Sequence, residues 1–202
     1  RVAAACAPTP VTAKIRLGFS QKAITAVAVA QAIEDAGGAA VTIHGRTADQ
    51  MYRGKADWEQ IAAVKARLRR IRVVGNGDLR TPDDVLAAFR RYGVDGVMIG
   101  RAALGQPWLF RQIQAALHGQ PIPAEPSATE KRQLLLEHLQ LLVERYGPKR
   151  GTVLMRPAAV RYGYGLPGAK IFRAQISQAA NPQQFAEIVE RYFPSDQGCA
   201  PP

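Results

Sequence analysis

Two alternating segments and two glycine-bounded loops hold the residues with chemical potential. In Val11–Leu17 the apolar positions alternate with Thr12, Lys14 and Arg16. Successive side chains of an extended chain point to opposite faces, so these three polar groups share one face. Val41 and Ile43 alternate with Thr42 and His44 in the same way. Further on come Gly75-Asn76-Gly77-Asp78 and Gly100-Arg101-Ala102. Glycine lets the backbone approach a phosphate, and its N–H groups can form an anion nest. Arg101 would add a charge-assisted contact. Each feature has a plainer alternative: an ion pair for Lys14, a satisfied core histidine for His44, turn chemistry for the 75–78 loop and a helix start at 100–102.

Strand-like runs at Val11–Leu17, Ala40–Ile43, Ile71–Val74 and Gly96–Ile99 position these groups. Helix-like stretches fill the gaps, which predicts an α/β fold with parallel strands. Each polar feature then falls at the end of one strand. In α/β barrels the active site sits at the C-terminal ends of the strands, and the last two loops often hold phosphate. The pattern predicts a helix over Asp57–Leu68. It also predicts one that starts at Thr81 as N-cap with Pro82 as N1 and ends at Gly93, and one from Pro107 to Gly119. Gln120–Ser127 is proline-rich and reads as a linker. Beyond it the strands stop. Ser127 and Glu130 form a capping box for a helix over Glu130–Tyr146, and further helices are expected at Gly168–Ala180 and Gln183–Phe193. The expected organisation is 1–119, a linker at 120–128, and a small all-α unit at 129–202.

Lys and Arg number 27 against 16 Asp and Glu, a net charge of +11. That excess suits a polyanion, either nucleic acid or an acidic membrane surface, although an Arg- and Ala-rich composition alone produces the same number. No apolar run reaches the roughly 18 residues that cross a bilayer. With no basic-then-apolar leader either, a soluble, cytoplasmic protein is expected. Cys6 and Cys199 have no partner spacing, so both are expected to be free thiols, with no metal site.

The segments VTAKIRLG, VTIHGRT, VVGNGD and DGVMIGRAALGQPWLF together resemble the last four strands of the tRNA-dihydrouridine synthases, and GLPGAKIFRAQI resembles part of that family's helical domain. The resemblance runs from about Val11 to Phe193. It implies the second half of an FMN-containing (β/α)8 TIM barrel, followed by a small helical tRNA-binding domain. It implies reduction of uridine in tRNA to 5,6-dihydrouridine, with NADPH as reductant. Cofactor contacts would come from Lys14, His44, Asn76, Gly77, Asp78, Gly100 and Arg101. Arg46 would position substrate or pair with a nearby carboxylate. Arg156 and Arg161 would meet RNA.

The sequence departs from the family pattern in two places. The family's general acid is a Cys in an Asn-Met-Gly-Cys-Pro loop upstream of the Lys strand. Nothing in this chain matches it, and Cys6 stands too close to Lys14 to take that role. The expectation is therefore a truncated enzyme with no catalytic residue of its own. Met155-Arg156-Pro157-Ala158 stands where the family usually has Arg-Lys-His. Only Arg156 matches, and Pro157 is expected to break or kink that helix unless it sits in the first turn. Two other functions fit parts of the pattern: a dihydroorotate dehydrogenase-like FMN barrel acting on a small molecule, and a non-catalytic remnant that only binds RNA. The basic C-terminal appendage argues against the small-molecule enzyme. No obligate protein partner is evident.

Overall fold

In the computed structural model, which describes residues 2–194, four parallel strands form one sheet in the order β1-β2-β3-β4. They are β1 (Thr12–Arg16), β2 (Ala40–His44), β3 (Arg72–Asn76) and β4 (Gly96–Met98). A short α1 (Val2–Ala5) precedes β1. The connections carry α2 (Ala26–Asp35), α3 (Trp58–Arg67) and α4 (Pro82–Tyr92). After β4 come a 3-10 turn at Arg101–Ala103 and α5 (Leu109–Leu117). The fold is thus α/β with a parallel sheet, as the strand spacing predicts.

One face of the sheet is apolar. Leu17, Val41, Ile43 and Val73 pack there against Ala26 and Ala30 of α2 and Ile61 and Val64 of α3. A second cluster joins α4 to α5 through Val85, Ala88, Leu109 and Ile113. The helix ends follow local chemistry. Asp57 accepts from the Gln60 N–H, Thr81 and Asp84 close a capping box, and Gly93 at φ 61° ends α4 in the left-handed conformation. Pro107, by contrast, does not open α5, which begins at Leu109.

The described residues divide into two compact units. One holds residues 2–103 with Leu109–Ile122, and the other holds Leu104–Trp108 with residues 123–194. The chain therefore passes between units more than once, unlike a single cut after Gly119. The second unit contains α6 (Ala128–Tyr146), α7 (Pro148–Tyr162), α8 (Ala169–Ile176) and α9 (Pro182–Tyr192). Its core gathers Leu135, Leu139, Met155, Phe172, Phe185 and Val189, with Trp108 edge-on to Tyr162 at 5.9 Å. Cys6 is a free, exposed thiol, and Cys199 lies outside the described residues.

Pro157 overturns the expectation of a break. It lies inside α7, which continues to Tyr162. A proline there removes the N–H that would reach the Val153 carbonyl and crowds that turn. Val153 is 44% exposed, so water can take up its carbonyl, and buried Met155 and Ala159 hold the helix from the other side. Replacing Pro157 with Ala should therefore stabilise the protein by about 1–3 kcal/mol, because the ring is exposed and only the helix penalty is relieved. Urea unfolding at neutral pH checks this, and a lower midpoint for the variant would contradict it.

Candidate active site at the strand ends

Parallel pairing brings all four strand ends to one edge. The register aligns Lys14 with Thr42 and Val74, and Arg16 with His44 and Asn76, and Asn76 in turn with Met98. Residues at the same register share a face, so Lys14, Arg16, His44 and Asn76 stand together on the side away from α2 and α3.

Arg46, two residues past β2, is 2% exposed. Its Nη2 donates to both carboxylate oxygens of Asp78, at 2.8 and 2.7 Å, and to the Gly54 carbonyl at 2.6 Å. Its Nε donates to the Arg53 carbonyl at 3.1 Å. Nη1 lies 3.5 Å from His44 Nε2. Arg16 works alongside, donating to the carbonyls of Thr47 and Met51 at 2.8 and 3.0 Å. Two arginines thus fasten the 47–54 loop to β1, β2 and the Gly77-Asp78 turn.

That turn is tightly specified. Asp78 has φ 54°, the left-handed region that Asp tolerates. Gly77 has φ 133°, and a Cβ there would stand 2.5 Å from Ala56 Cβ. A Cβ at Gly75 would stand 2.4 Å from the Trp58 ring, whose Nε1 donates to the Gly77 carbonyl at 3.0 Å. Asn76 donates from Nδ2 to the Met98 carbonyl at 2.7 Å, joining the ends of β3 and β4.

Two cations remain outside this framework. Lys14 is exposed and makes no ion pair among the described residues, so neither a buried lysine nor a structural ion pair describes it. The polar face beside β1 is uncovered, whereas Thr42 and His44 one strand in are buried. Partial burial, aided by neighbouring Arg16, holds the Lys14 ammonium below its ordinary value. Arg101 is exposed and lies over the Tyr52 ring at 4.5 Å, with only a long 3.7 Å approach to Asp78. At Gly100 nothing lies within 4 Å of where a Cβ would be, so its backbone is open to close approach. Arg101, Tyr52, Lys55 and Arg80 border a cavity of about 600 Å³.

Desolvation, then the charges of Arg16, Lys14 and Arg46, depress the His44 imidazole to about 4. It is neutral at pH 7, with Nε2 facing Arg46 and Nδ1 left as the proton-bearing nitrogen. Burial pushes the Asp78 carboxyl up, but hydrogen bonds from Ala56 and Arg46 and the charges of Arg46 and Arg101 outweigh it and hold it below its usual range.

Sequence reasoning singled out Lys14, His44, Asn76–Asp78, Gly100 and Arg101, and the sheet brings these to one edge. Arg156 and Arg161 lie in α7 of the other unit. Arg156 donates from Nε and Nη2 to the Ala179 carbonyl at 2.9 and 2.6 Å, and Arg161 is exposed. Arg16, Tyr52 and Trp58 escaped the sequence reading as site residues. The close spacing of Gly75 and Gly77 was the available signal that a bulky neighbour presses on that turn.

Asp78→Ala should destabilise the protein by about 3 kcal/mol, because it strands the buried Arg46 guanidinium. Arg101→Ala should change stability by less than about 0.5 kcal/mol, since the residue is exposed. Chemical unfolding of both variants separates the two roles. His44 yields a pH prediction. Its folded value is depressed, so its contribution is complete above the unfolded value of about 6.5 and is lost as pH falls toward 4. Stability measured from pH 7 to 4 should fall less steeply in His44→Asn than in the wild type, and equal slopes would contradict this.

The dihydrouridine synthase (Dus) family profile matches residues 2–196. A probable tRNA-dihydrouridine synthase of Mycobacterium leprae is 41% identical over 168 residues, 83% of this chain and 44% of that protein. The tRNA-dihydrouridine synthase B of Pseudomonas aeruginosa is 40% identical over 185 residues, 91% of this chain and 55% of that protein. That of Shewanella oneidensis is 38% identical over 191 residues, 94% of this chain and 58% of that protein. The chain spans about half the length of the curated relatives it matches. With a family profile covering nearly all of it, this chain belongs to the dihydrouridine synthase family.

Proposed function

We propose that the chain forms the second half of an FMN-binding (β/α)8 barrel with a helical tRNA-binding domain after it, in a cytoplasmic enzyme that reduces uridine in tRNA to dihydrouridine. The observation that carries this reading is the convergence of Lys14, His44, the 76–78 turn and the 100–101 loop on one sheet edge, in a chain of this family.

The residues fit an anionic, hydrogen-bonding group. Lys14 is an unpaired ammonium on the polar face, Arg101 a guanidinium outside the framework, and Gly100 an open stretch of backbone. Lys14, His44, Asn76, Gly77, Gly100 and Arg101 would hold FMN. Asp78 supports them through Arg46, because its carboxylate would repel a phosphate directly. FMN held by these residues would supply the hydride, with NADPH as its reductant.

The chain's own groups bind and orient. The Lys14 ammonium opposes negative charge on the open face, where partial desolvation makes it more effective than in water. Neutral His44 presents its remaining ring N–H as a donor, without competing as a second cation. Arg46 and Arg16 fix the 47–54 loop, so the edge is formed before any ligand arrives. The proton that completes reduction of the uracil ring requires a donor. Cys6 does not supply it: α1, which it follows, lies by Gly37, where the strands begin rather than end.

A chimera in which the first half of the Pseudomonas aeruginosa relative precedes this chain provides the test. Lys14→Ala in that chimera should weaken flavin retention or slow dihydrouridine formation at least tenfold, since one charge contact in a shielded site is worth about 2–4 kcal/mol. Flavin absorbance and dihydrouridine assay on unmodified tRNA are the measurements. Unchanged flavin content together with unchanged turnover would remove Lys14 from the site.

A further inference from the structure

Between Glu144 and Glu187 the sequence holds seven Lys or Arg and no Asp or Glu. This stretch builds α7 and α8, so the charged residues of both helices are all basic. At the turn between the two helices stands Tyr164, 64% exposed. The Arg173 guanidinium lies over its ring at 5.5 Å. Arg161 and Lys170, which flank Tyr164 in sequence, are exposed, and so is Ile171 at 57%.

The exposure of this ring is set by the chain beneath it. A Cβ at Gly163 would stand 2.4 Å from Phe172 Cδ1, so the backbone on one side of Tyr164 is pressed against a fully buried ring. On the other side Gly165 turns the chain at φ 81° and Leu166 packs into the core. The Tyr164 N–H donates to the Arg161 carbonyl at 3.2 Å. The loop is therefore anchored at both flanks while the tyrosine is held out in water, where a large apolar ring gains nothing for folding.

An anchored ring beside a guanidinium, on helices whose charged residues are all basic, matches what unpaired nucleotides need. Phosphates meet the cations, and a splayed base stacks on the aromatic or guanidinium plane. A duplex keeps its bases stacked on one another and offers this ring nothing beyond its phosphates. Tyrosine also brings area at little cost in side-chain freedom, since only two torsions are fixed.

We propose that Tyr164, with Arg173, is a stacking site for an unpaired nucleotide of the RNA, so that the helical unit senses a single-stranded element of its substrate as well as its charge. This rests on the RNA-modifying reading given above. It separates base stacking by Tyr164 from the phosphate contacts that the surrounding cations make with any nucleic acid.

The 202-residue chain is titrated against an unmodified, fluorescently labelled tRNA transcript at several salt concentrations. Competitors are oligouridylate and an RNA duplex of equal nucleotide content. Tyr164→Ala should weaken tRNA binding about tenfold, the order expected for one lost stacked base. The slope of log affinity against log salt should stay unchanged, because no phosphate contact is lost. Tyr164→Phe should stay within about twofold of wild type, and oligouridylate should compete better than the duplex against wild type but lose that advantage in Tyr164→Ala. Thermal melting checks the fold. If the alanine variant melts early, Tyr164→Leu, which keeps an apolar side chain but no ring, is read in its place. Ringless variants that bind like wild type, a weakening accompanied by a shallower salt slope, or a duplex that competes equally would overturn the proposal. A wild-type chain that fails to bind tRNA at low salt would instead overturn the RNA reading beneath it.

Discussion

The ion pair between Arg46 and Asp78 joins residues 32 apart in sequence at the ends of two adjacent strands. A guanidinium that is 2% exposed needs its charge met and its N–H groups occupied. The fold satisfies both needs with the Asp78 carboxylate, two carbonyls of the 53–54 segment and the nearby His44 ring. This arrangement requires Asp78 to sit in the left-handed region, which in turn calls for a turn as compact as Gly75-Asn76-Gly77 allows. It also requires the 47–54 loop to fold back over the sheet edge. One buried charge thereby dictates the shape of two of the four loops that surround the site.

Arginines at this edge consequently do two different jobs. Arg16 and Arg46 are spent on backbone carbonyls and a carboxylate, and nothing of their charge is offered outward. Lys14 and Arg101 keep theirs. Burial lowers both the lysine and the histidine most, and the repulsion of a cation beside Arg16 and close to His44 adds to it. An anion bound at this edge, as the proposed function requires, would relieve that repulsion. The same balance keeps His44 neutral, so it adds hydrogen bonding to the edge without adding charge.

Much of this was legible in the residues. The alternation in Val11–Leu17 and the polar strand ends located the sheet, its apolar face and the edge where chemistry would gather. Capping residues placed α4 and α6, because Thr81 and Ser127 each accept a backbone N–H at the helix start. Helices without such signals were harder to read. α2 is Ala- and Val-rich, and Thr25 makes no side-chain cap. α7 contains both Gly151 and Pro157, which argue against a helix locally. Tertiary packing overrides them: the missing Cβ of Gly151 lets α7 approach the backbone of Val143 in α6, where a methyl group would stand 2.7 Å away. The role of Arg46 was likewise open in the sequence, since nothing local says which carboxylate 32 residues away will come within reach.

The two units distribute their acidic residues differently. In the first, ion pairs join neighbouring elements: Lys65 and Arg72 share Asp95, Arg91 reaches Glu59, and Arg70 reaches Asp35. Such pairs hold loops and helix ends in register, although Lys and Arg still outnumber Asp and Glu in that unit. In the second, among the described residues, the acidic side chains are confined to α6 and α9 and to the segment before α6, while the charged residues of α7 and α8 are all basic. Exposed like charges on adjacent helices repel, and folding offers no return for that arrangement. Segregation of this kind is what a surface that receives an anionic partner, as proposed above, would show. Among the described residues, glycine-flanked Tyr164 is the one large aromatic ring set into that face and left more than half exposed, and under the stacking proposal it would turn a general attraction for phosphate into a contact that depends on the base.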